Sequence, residues 1–257
     1  MIDSRALIDP DARIDEDVNV GPWSMLGAGV EIGPGTRIGP HVVIQGPTRI
    51  GRDNRIHAFS VIGGDPQDKK YSGEAQSLLE IGDGNTIREH CTINRGTGQG
   101  GGVTRLGDRN WIMANVHIAH DCRVGNDVIF ANNTALAGHV SIDDFAILGG
   151  FTGVHQFCRV GAYSFAAIAS VIVKDVPPYM MVAGNTASTH GLNREGLKRH
   201  GFGNDTINTL RRAYKILYRQ NLSLSEATEQ LREFAPESAA VQRLVEFVSQ
   251  STRGIVR

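Results

Sequence analysis

The sequence predicts a β-solenoid of parallel hexapeptide repeats with a C-terminal α-helical domain. Three observations predict it: an aliphatic residue at every sixth position, 31 glycines beside only 6% aromatics in 257 residues, and a switch to helical spacing near residue 193. A core built from many small branched residues rather than a few large rings is what a repeat produces.

Ile2, Ile8, Ile14, Val20, Leu26, Ile32, Ile38, Ile44, Ile50, Ile56 and Ile62 follow in steps of six without exception. That period does not fit an amphipathic α-helix and matches the hexapeptide class of parallel β-helix. Three hexads make a triangular coil of 18 residues, and coils stack about 4.8 Å apart. Glycine often follows the aliphatic anchor (Gly21, Gly33, Gly51), where a corner is expected to need backbone freedom that a Cβ restricts.

The steps resume at Ile81, Ile87 and Ile93, and again from Leu106 to Ile172. Two excursions, near 63–79 and 96–105, therefore read as external loops, and loops held by a rigid scaffold often carry function. The second contains Gly96-x-Gly98-x-x-Gly101, the spacing of a dinucleotide fingerprint, but no strand–helix unit surrounds it, so it reads as a plain loop.

Asp175-Val176-Pro177-Pro178 is expected to end regular strand pairing, because proline cannot donate to a ladder. The solenoid is thus assigned to residues 1–189 and the helical domain to 190–257. Ile207, Leu210, Tyr214, Leu217 and Tyr218 predict a helix with Asn204 or Asp205 as N-cap, and two more are expected over 225–234 and 237–249. These helices would cover the open end of the solenoid.

The net charge of -1 argues against nucleic acid as a default partner. From His190 onward eleven Lys/Arg face seven Asp/Glu, so the tail is +4 and the remainder -5. Such a tail suits an acidic partner or a phosphate as well as a solvated helical surface. The first ten residues hold Asp3, Arg5 and Asp9 and no apolar run, so neither export nor membrane insertion is expected and the protein is read as cytoplasmic. Cys91, Cys122 and Cys158, odd in number and far apart, read as packed thiols.

The chemistry concentrates in histidines. Ile118, Leu136 and Val154 are 18 residues apart and stack on one face, so His117, His120, His139 and His155 gather along one edge. Neighbouring coils bring His120 and His139 within about 6 Å at the backbone. A cluster of this kind serves general-base catalysis or metal ligation, both of which use the neutral imidazole lone pair. Asp121 could orient the His120 ring, provided the corner brings two adjacent residues to one side. Gly138, without a side chain, could offer its N–H to an oxyanion or be one more corner glycine.

At these residues the chain resembles the UDP-N-acetylglucosamine 3-O-acyltransferases of lipid A biosynthesis, a family of hexapeptide-repeat enzymes, nearly from end to end. The resemblance rests on Gln67-Asp68-x-Lys70-Tyr71-x-Gly73-Glu74, on Ala114 to Cys122, on Asn132-Asn133-x-x-Leu136-Ala137-Gly138-His139-Val140 and on His155-Gln156. It extends to Asp175-Val176-Pro177-Pro178, Asn193-x-Glu195-Gly196-Leu197-Lys198-Arg199 and Ser251-Thr252-Arg253-Gly254.

The resemblance implies a left-handed coil and a homotrimer with sites between subunits. It implies transfer of a 3-hydroxyacyl chain from acyl carrier protein to the 3-hydroxyl of UDP-N-acetylglucosamine, with no metal or dissociable cofactor. His120 becomes the general base, Asp121 its support and the Gly138 amide the oxyanion donor. Substrate contacts fall on Asp68, Lys70, His117, His139, His155, Gln156, Asn193, Glu195 and Arg199.

Three departures stand out. Asn94 occupies a position where the family often has His, and His200 one where a second Arg is frequent. Ala167 and Ile168 lie at the family's acyl-chain ruler, where a branched Ile168 implies a donor nearer ten to twelve carbons than fourteen. Four other readings compete: acylation of a 3-amino sugar analogue, which Asn94 leaves open, a sugar N-acyltransferase acting on a glucosamine amine, a zinc hydro-lyase of the γ-carbonic-anhydrase type, and a purely structural solenoid.

Overall fold

The computed structural model describes residues 1–73, 77–234 and 238–257; Glu74 of the first-loop motif and Glu237 lie outside the described residues. Among the described residues, three sheets of nine, eight and ten short strands form the sides of a triangular prism. The first face runs from Leu7–Ile8 to Val171–Ile172, the second from Arg13–Ile14 to Arg159–Val160, and the third from Asn19–Val20 to Ser188–Leu192.

Every hexad anchor from Val20 to Ile172 is buried, and anchors stack on anchors: Ile118 pairs with Ile93 below and Leu136 above. The loops leave this register intact, since Ile62 pairs with Ile93 across the first and Ile81 with Leu106 across the second. Buried hydroxyls and amides satisfy the corners from inside. Ser24 Oγ donates to the Gly39 carbonyl at 2.7 Å, and Asn54, Asn85 and Asn110 accept in turn from the backbone N–H of the coil above at 2.8–2.9 Å.

The glycines after the anchors have a different cause from the one expected. None of Gly21, Gly33 and Gly51 has a positive φ; instead a Cβ at Gly21 would lie 2.7 Å from the Gly39 carbonyl carbon, and one at Gly33 2.9 Å from that of Gly51. They permit close stacking of coils. The left-handed backbone falls two residues later, on glycine at Gly29, Gly35 and Gly84 but mostly on side-chain-bearing residues, among them Asn115, Asp121, Asn133 and His139 at φ 60–62°. Asn and Asp tolerate this region best. Aromatic rings also occupy it, because the coil repeat spaces them for stacking: Trp23, His41, Phe59 and His90 form one column with centroids 5.0–5.2 Å apart.

Strand pairing outlasts the two prolines. Val176 bridges to Val160, and Met180–Ala183 pairs in parallel with Phe165–Ala166 before folding back on Ser188–Leu192. Pro177 and Pro178 sit between these pairings, at a bend where no ladder N–H is required. The division expected at 189/190 falls inside the Ser188–Leu192 strand.

Among the described residues four α-helices follow: α1 (Arg194–Arg199), α2 (Asn204–Arg219), α3 (Leu224–Phe234) and α4 (Ala239–Ser249). The N-cap of α2 is Gly203, not Asn204 or Asp205; Asp205 lies in the first turn, where a carboxylate suits the helix dipole. Ile207, Leu210, Tyr214 and Leu217 are its buried stripe. Ser223 and Glu226 cap α3 reciprocally, each backbone N–H donating to the other's side chain at 2.8 and 3.2 Å. The chain end then returns to the solenoid: Ile255 bridges to Asp175, and Ser251 Oγ donates to the buried Asp175 carboxylate at 2.7 Å. Two motifs 76 residues apart thus close one end of the prism together.

Candidate active site

The corner between the first and second faces carries His120, Asp121 and His139. His120 and Asp121 are chain neighbours, which in a flat strand would point to opposite sides. The left-handed turn at Asp121, φ 60°, swings its carboxylate back so that Oδ2 lies 2.8 Å from His120 Nδ1. Oδ2 is also 3.8 Å from His139 Nε2, and the two imidazoles meet edge to face with centroids 5.1 Å apart. His139 is further fixed by stacking on Phe157 at 4.5 Å.

The Asp121 side chain is 1% exposed. A buried carboxylate needs hydrogen bonds, and the glycine-rich second loop supplies them. Thr97 N donates to Oδ1 at 3.0 Å and Thr97 Oγ1 to Oδ2 at 2.7 Å. The loop closes so tightly that a Cβ on Gly100 would lie 2.1 Å from Asp121 Cγ. Thr104 Oγ1 accepts from Asp121 N at 2.8 Å. The residues 96–105 that read as a plain loop are therefore the socket of the carboxylate, and the clue in the sequence was that the insertion lies one coil below it.

Gly138 has its own steric reason. A Cβ there would lie 2.6 Å from His120 Cε1 and 2.7 Å from Nε2, so only glycine leaves the ring its place. The Gly138 carbonyl accepts from Phe157 N, while among the described residues its N–H donates to no protein group. In other coils the corresponding N–H is absent at Pro22, Pro34 and Pro40 and capped by Asn or Asp at Asp108 and Asn126, while at Ala114, His120 and Asn132 it is as free as at Gly138, so what distinguishes Gly138 is its place against the His120 ring. The Gly138 N–H is thus an outward donor beside the His120 ring.

His117 lies one coil above Thr92, whose Oγ1 is 2.7 Å from His117 Nδ1. Burial, aided by the nearby His120, holds His117 below the ordinary histidine range. Burial also lowers His139, against the opposing pull of the Asp121 and Asp68 carboxylates. Asp68, at the tip of the first loop, is therefore felt at the histidine edge. Its Oδ1 accepts from Lys70 N at 2.9 Å, and Lys70 itself is exposed.

Arg95 roots that loop. Buried to 7% exposure, it donates to the Gly63 carbonyl, to the Asp65 carboxylate and, at 3.2 Å, to Ser77 Oγ. Asn94 assists, with Nδ2 donating to the Asp65 carbonyl at 2.8 Å while its Oδ1 is buried without a protein partner. The sequence shows no role for Thr97, Gly100, Arg95 and Thr92, because each acts through a residue 21 to 32 positions away.

His155 and Gln156 continue this corner beyond Val154, whereas the remaining expected site residues stand apart from it within one chain. His155 and Gln156 are exposed two coils along, the His155 ring nitrogen lying 3.1 Å from the Gln156 carbonyl. Asn193 caps α1, accepting from Gly196 N at 3.2 Å, and donates to the Tyr163 carbonyl at 3.0 Å. Glu195 pairs with Lys198 at 3.3 Å, and Arg199 is exposed. His200 packs against the rings of Phe145 and Tyr163. These rings mark the corner between the second and third faces, a whole face away from His120.

Ile168 is 71% exposed and Ala167 half-buried on the third-face corner. His120, Asp121 and His139 also offer ligand atoms within 4.8 Å of one another, the one metal-type group found among the described residues. Both Asp121 oxygens, however, already accept from Thr97.

Known proteins share this fold and sequence. Residues 175–256 match the family model described as UDP N-acetylglucosamine O-acyltransferase, domain 2, and residues 11–46, 29–64 and 104–138 match the bacterial transferase hexapeptide model. The acyl-[acyl-carrier-protein]--UDP-N-acetylglucosamine O-acyltransferase of Thiobacillus denitrificans is 56% identical over 98% of this chain and 97% of its own length. The protein of the same name from Halorhodospira halophila is 56% identical over 100% and 99%. The solved UDP-N-acetylglucosamine acyltransferase of Francisella novicida superposes with TM-score 0.98 at 43% identity, covering 100% of this chain and 94% of that one. That of Moraxella catarrhalis gives 0.97 at 47%, covering 100% and 99%. The prism is accordingly a left-handed β-helix, and the chain belongs to the UDP-N-acetylglucosamine O-acyltransferase family.

Proposed function

We propose that the protein transfers a 3-hydroxyacyl chain from acyl carrier protein to the 3-hydroxyl of UDP-N-acetylglucosamine, the first step of lipid A biosynthesis. The observation that carries the mechanism is the 2.8 Å contact of His120 Nδ1 with Asp121 Oδ2. With Nδ1–H donated to a carboxylate, Nε2 holds a lone pair at the prism edge, the tautomer a general base requires. His120 Nε2 takes the proton of the sugar hydroxyl as its oxygen attacks the thioester carbonyl. The resulting oxyanion is received by the Gly138 N–H. The intermediate collapses by breaking the C–S bond, and the proton on His120 passes to the departing thiolate. No metal or dissociable cofactor enters these steps.

Asp68, Lys70, His117, His139, His155 and Gln156 would hold the nucleotide sugar from one side. Asn193, Glu195 and Arg199 stand at another corner, so their contact with the same substrate requires a second copy, which supports a homotrimer with sites between subunits. An intracellular enzyme using acyl carrier protein is in keeping with the absence, among the described residues, of a helix long and apolar enough to cross a membrane. Ile168, with Ala167, would limit the acyl chain to about ten to twelve carbons, each further methylene being worth about 1–3 kcal/mol of discrimination.

Incubation of the purified protein with UDP-N-acetylglucosamine and a series of 3-hydroxyacyl carrier proteins, followed by product mass, tests acceptor, donor and chain length together. Base-labile ester is expected; a base-stable amide on a 3-amino sugar would support the analogue reading. His120→Ala should retain the fold and lose acyl transfer severely. Stoichiometric zinc with carbon dioxide hydration would instead favour the hydro-lyase reading.

A further inference from the structure

On the second face, the outward residue preceding each anchor forms one column, paired in register from strand to strand. Its first five members alternate in sign: Arg13, Glu31, Arg49, Glu80 and Arg105. Each carboxylate is shared, Glu31 lying 3.6 Å from Arg13 and 3.5 Å from Arg49, and Glu80 4.0 Å from Arg49 and 2.7 Å from Arg105. The alternation calls for a carboxylate next. Arg123 stands there, directly opposite Arg105, and Ser141 and Arg159 follow.

Like charges placed opposite each other on paired strands destabilise a sheet. No ion pair offsets Arg123 here: among the described residues no carboxylate oxygen lies within 4.0 Å of the Arg123, Arg159 or Arg243 guanidinium. Arg243 belongs to α4, which closes the far side of a groove of about 590 Å³ lined also by Arg105, Arg123 and Arg159. The Arg159 guanidinium lies over the Phe247 ring at 4.3 Å, which fixes its plane. Asp143, Asp144 and Glu246 also line the groove, but none of them makes an ion pair with these arginines. Asp144 Oδ1 accepts from Asn126 N at 2.7 Å, and burial raises Asp143 above the ordinary carboxylate range against the opposing pull of Arg159 and Arg243.

We propose that this groove is an anion site for a phosphate-class ligand, distinct from the histidine edge. Guanidinium forks from two directions match phosphate oxygens in pairs. A groove closed by sheet and helix takes a small anion rather than an acidic helix, which is about 10 Å across. Such an anion restores the alternation that breaks at Arg123.

The test is thermal unfolding of the full chain in phosphate-free buffer at fixed ionic strength, titrated with inorganic phosphate, pyrophosphate and uridine diphosphate. Wild type should melt higher with phosphate, and higher still with pyrophosphate. Arg123→Glu and Arg123→Ser should lose that rise, with apparent affinity for pyrophosphate at least tenfold weaker; Ser already occupies this column at Ser141. Without anion, Arg123→Glu should melt above wild type, and both variants should keep their acyl transfer rate. The proposal is overturned if phosphate leaves wild type unmoved, if the variants respond equally, or if uridine diphosphate alone acts. It is equally overturned if Arg123→Glu dissociates the oligomer with no phosphate effect, which would make the column a contact between copies.

Discussion

Asp121 Oδ2 lies 2.8 Å from His120 Nδ1 although the two residues are adjacent in the chain, and the left-handed corner between them is what makes the contact. The carboxylate is also the most committed group at the edge, holding Thr97 through two hydrogen bonds. Asp121→Asn keeps the shape but offers Nδ1 an amide, which favours the wrong tautomer. Its kcat should fall by about 10²–10⁴-fold, with a melting temperature close to wild type; steady-state kinetics beside circular dichroism checks both.

Gly138→Ala places a Cβ within 2.6 Å of His120 Cε1, so the ring must turn away from Asp121 or from the substrate. A misplacement of about 1 Å at a reacting group costs on the order of 10²-fold in rate. The variant should show that loss in kcat with little change in denaturation midpoint, and wild-type kcat would refute the assigned crowding.

Stability should depend on pH through His117 and His139. Both are held below the ordinary value of 6.5 by burial. The unfolded chain therefore binds more protons than the folded one between 6.5 and the lowered folded values. Their contribution is fully present above pH 6.5 and is lost as pH falls through that window. His117→Gln should flatten this part of the pH profile of the urea midpoint, and an unchanged slope would count against the burial effect.

The solenoid should report its two kinds of packing separately. Ile118→Ala empties an anchor buried between Ile93 and Leu136 and should cost about 2–5 kcal/mol. Gly149→Ala overfills instead, its Cβ meeting the Ile168 backbone N at 2.7 Å, and should cost about 1–3 kcal/mol. Denaturant unfolding of the two variants measures both.

Ile168→Gly removes an exposed branched side chain and leaves the core alone. It should move the preferred donor toward fourteen carbons while leaving the fold unaltered. Competition between carrier proteins loaded with ten-, twelve- and fourteen-carbon chains reads the shift; an unchanged preference removes Ile168 from the ruler.

The alternation of anchors in the sequence was enough to specify the prism and to put His117, His120 and His139 along one edge, because a period of six leaves little choice of inward face. It also put Asp121 next to His120 and Gly138 two residues after the Leu136 anchor on that edge, while the roles expected of them came only from the family resemblance. What it misassigned were local causes. The glycines after the anchors answer to the backbone of the next coil rather than to their own φ, and the α2 N-cap went to Gly203 because Asn204 and Asp205 were drawn into the first turn.

By itself, then, the sequence determined the solenoid, its two loops and the histidine edge, since repeats of 18 encode contacts between residues at fixed separation. The tertiary structure alone decided what that spacing does not encode. The second loop wraps the Asp121 carboxylate through Thr97, Arg95 roots the first loop, and Asn193 and Arg199 lie a full face from His120. Those contacts cross insertions or join separate units, where no period runs and only the closed chain fixes which side chains meet.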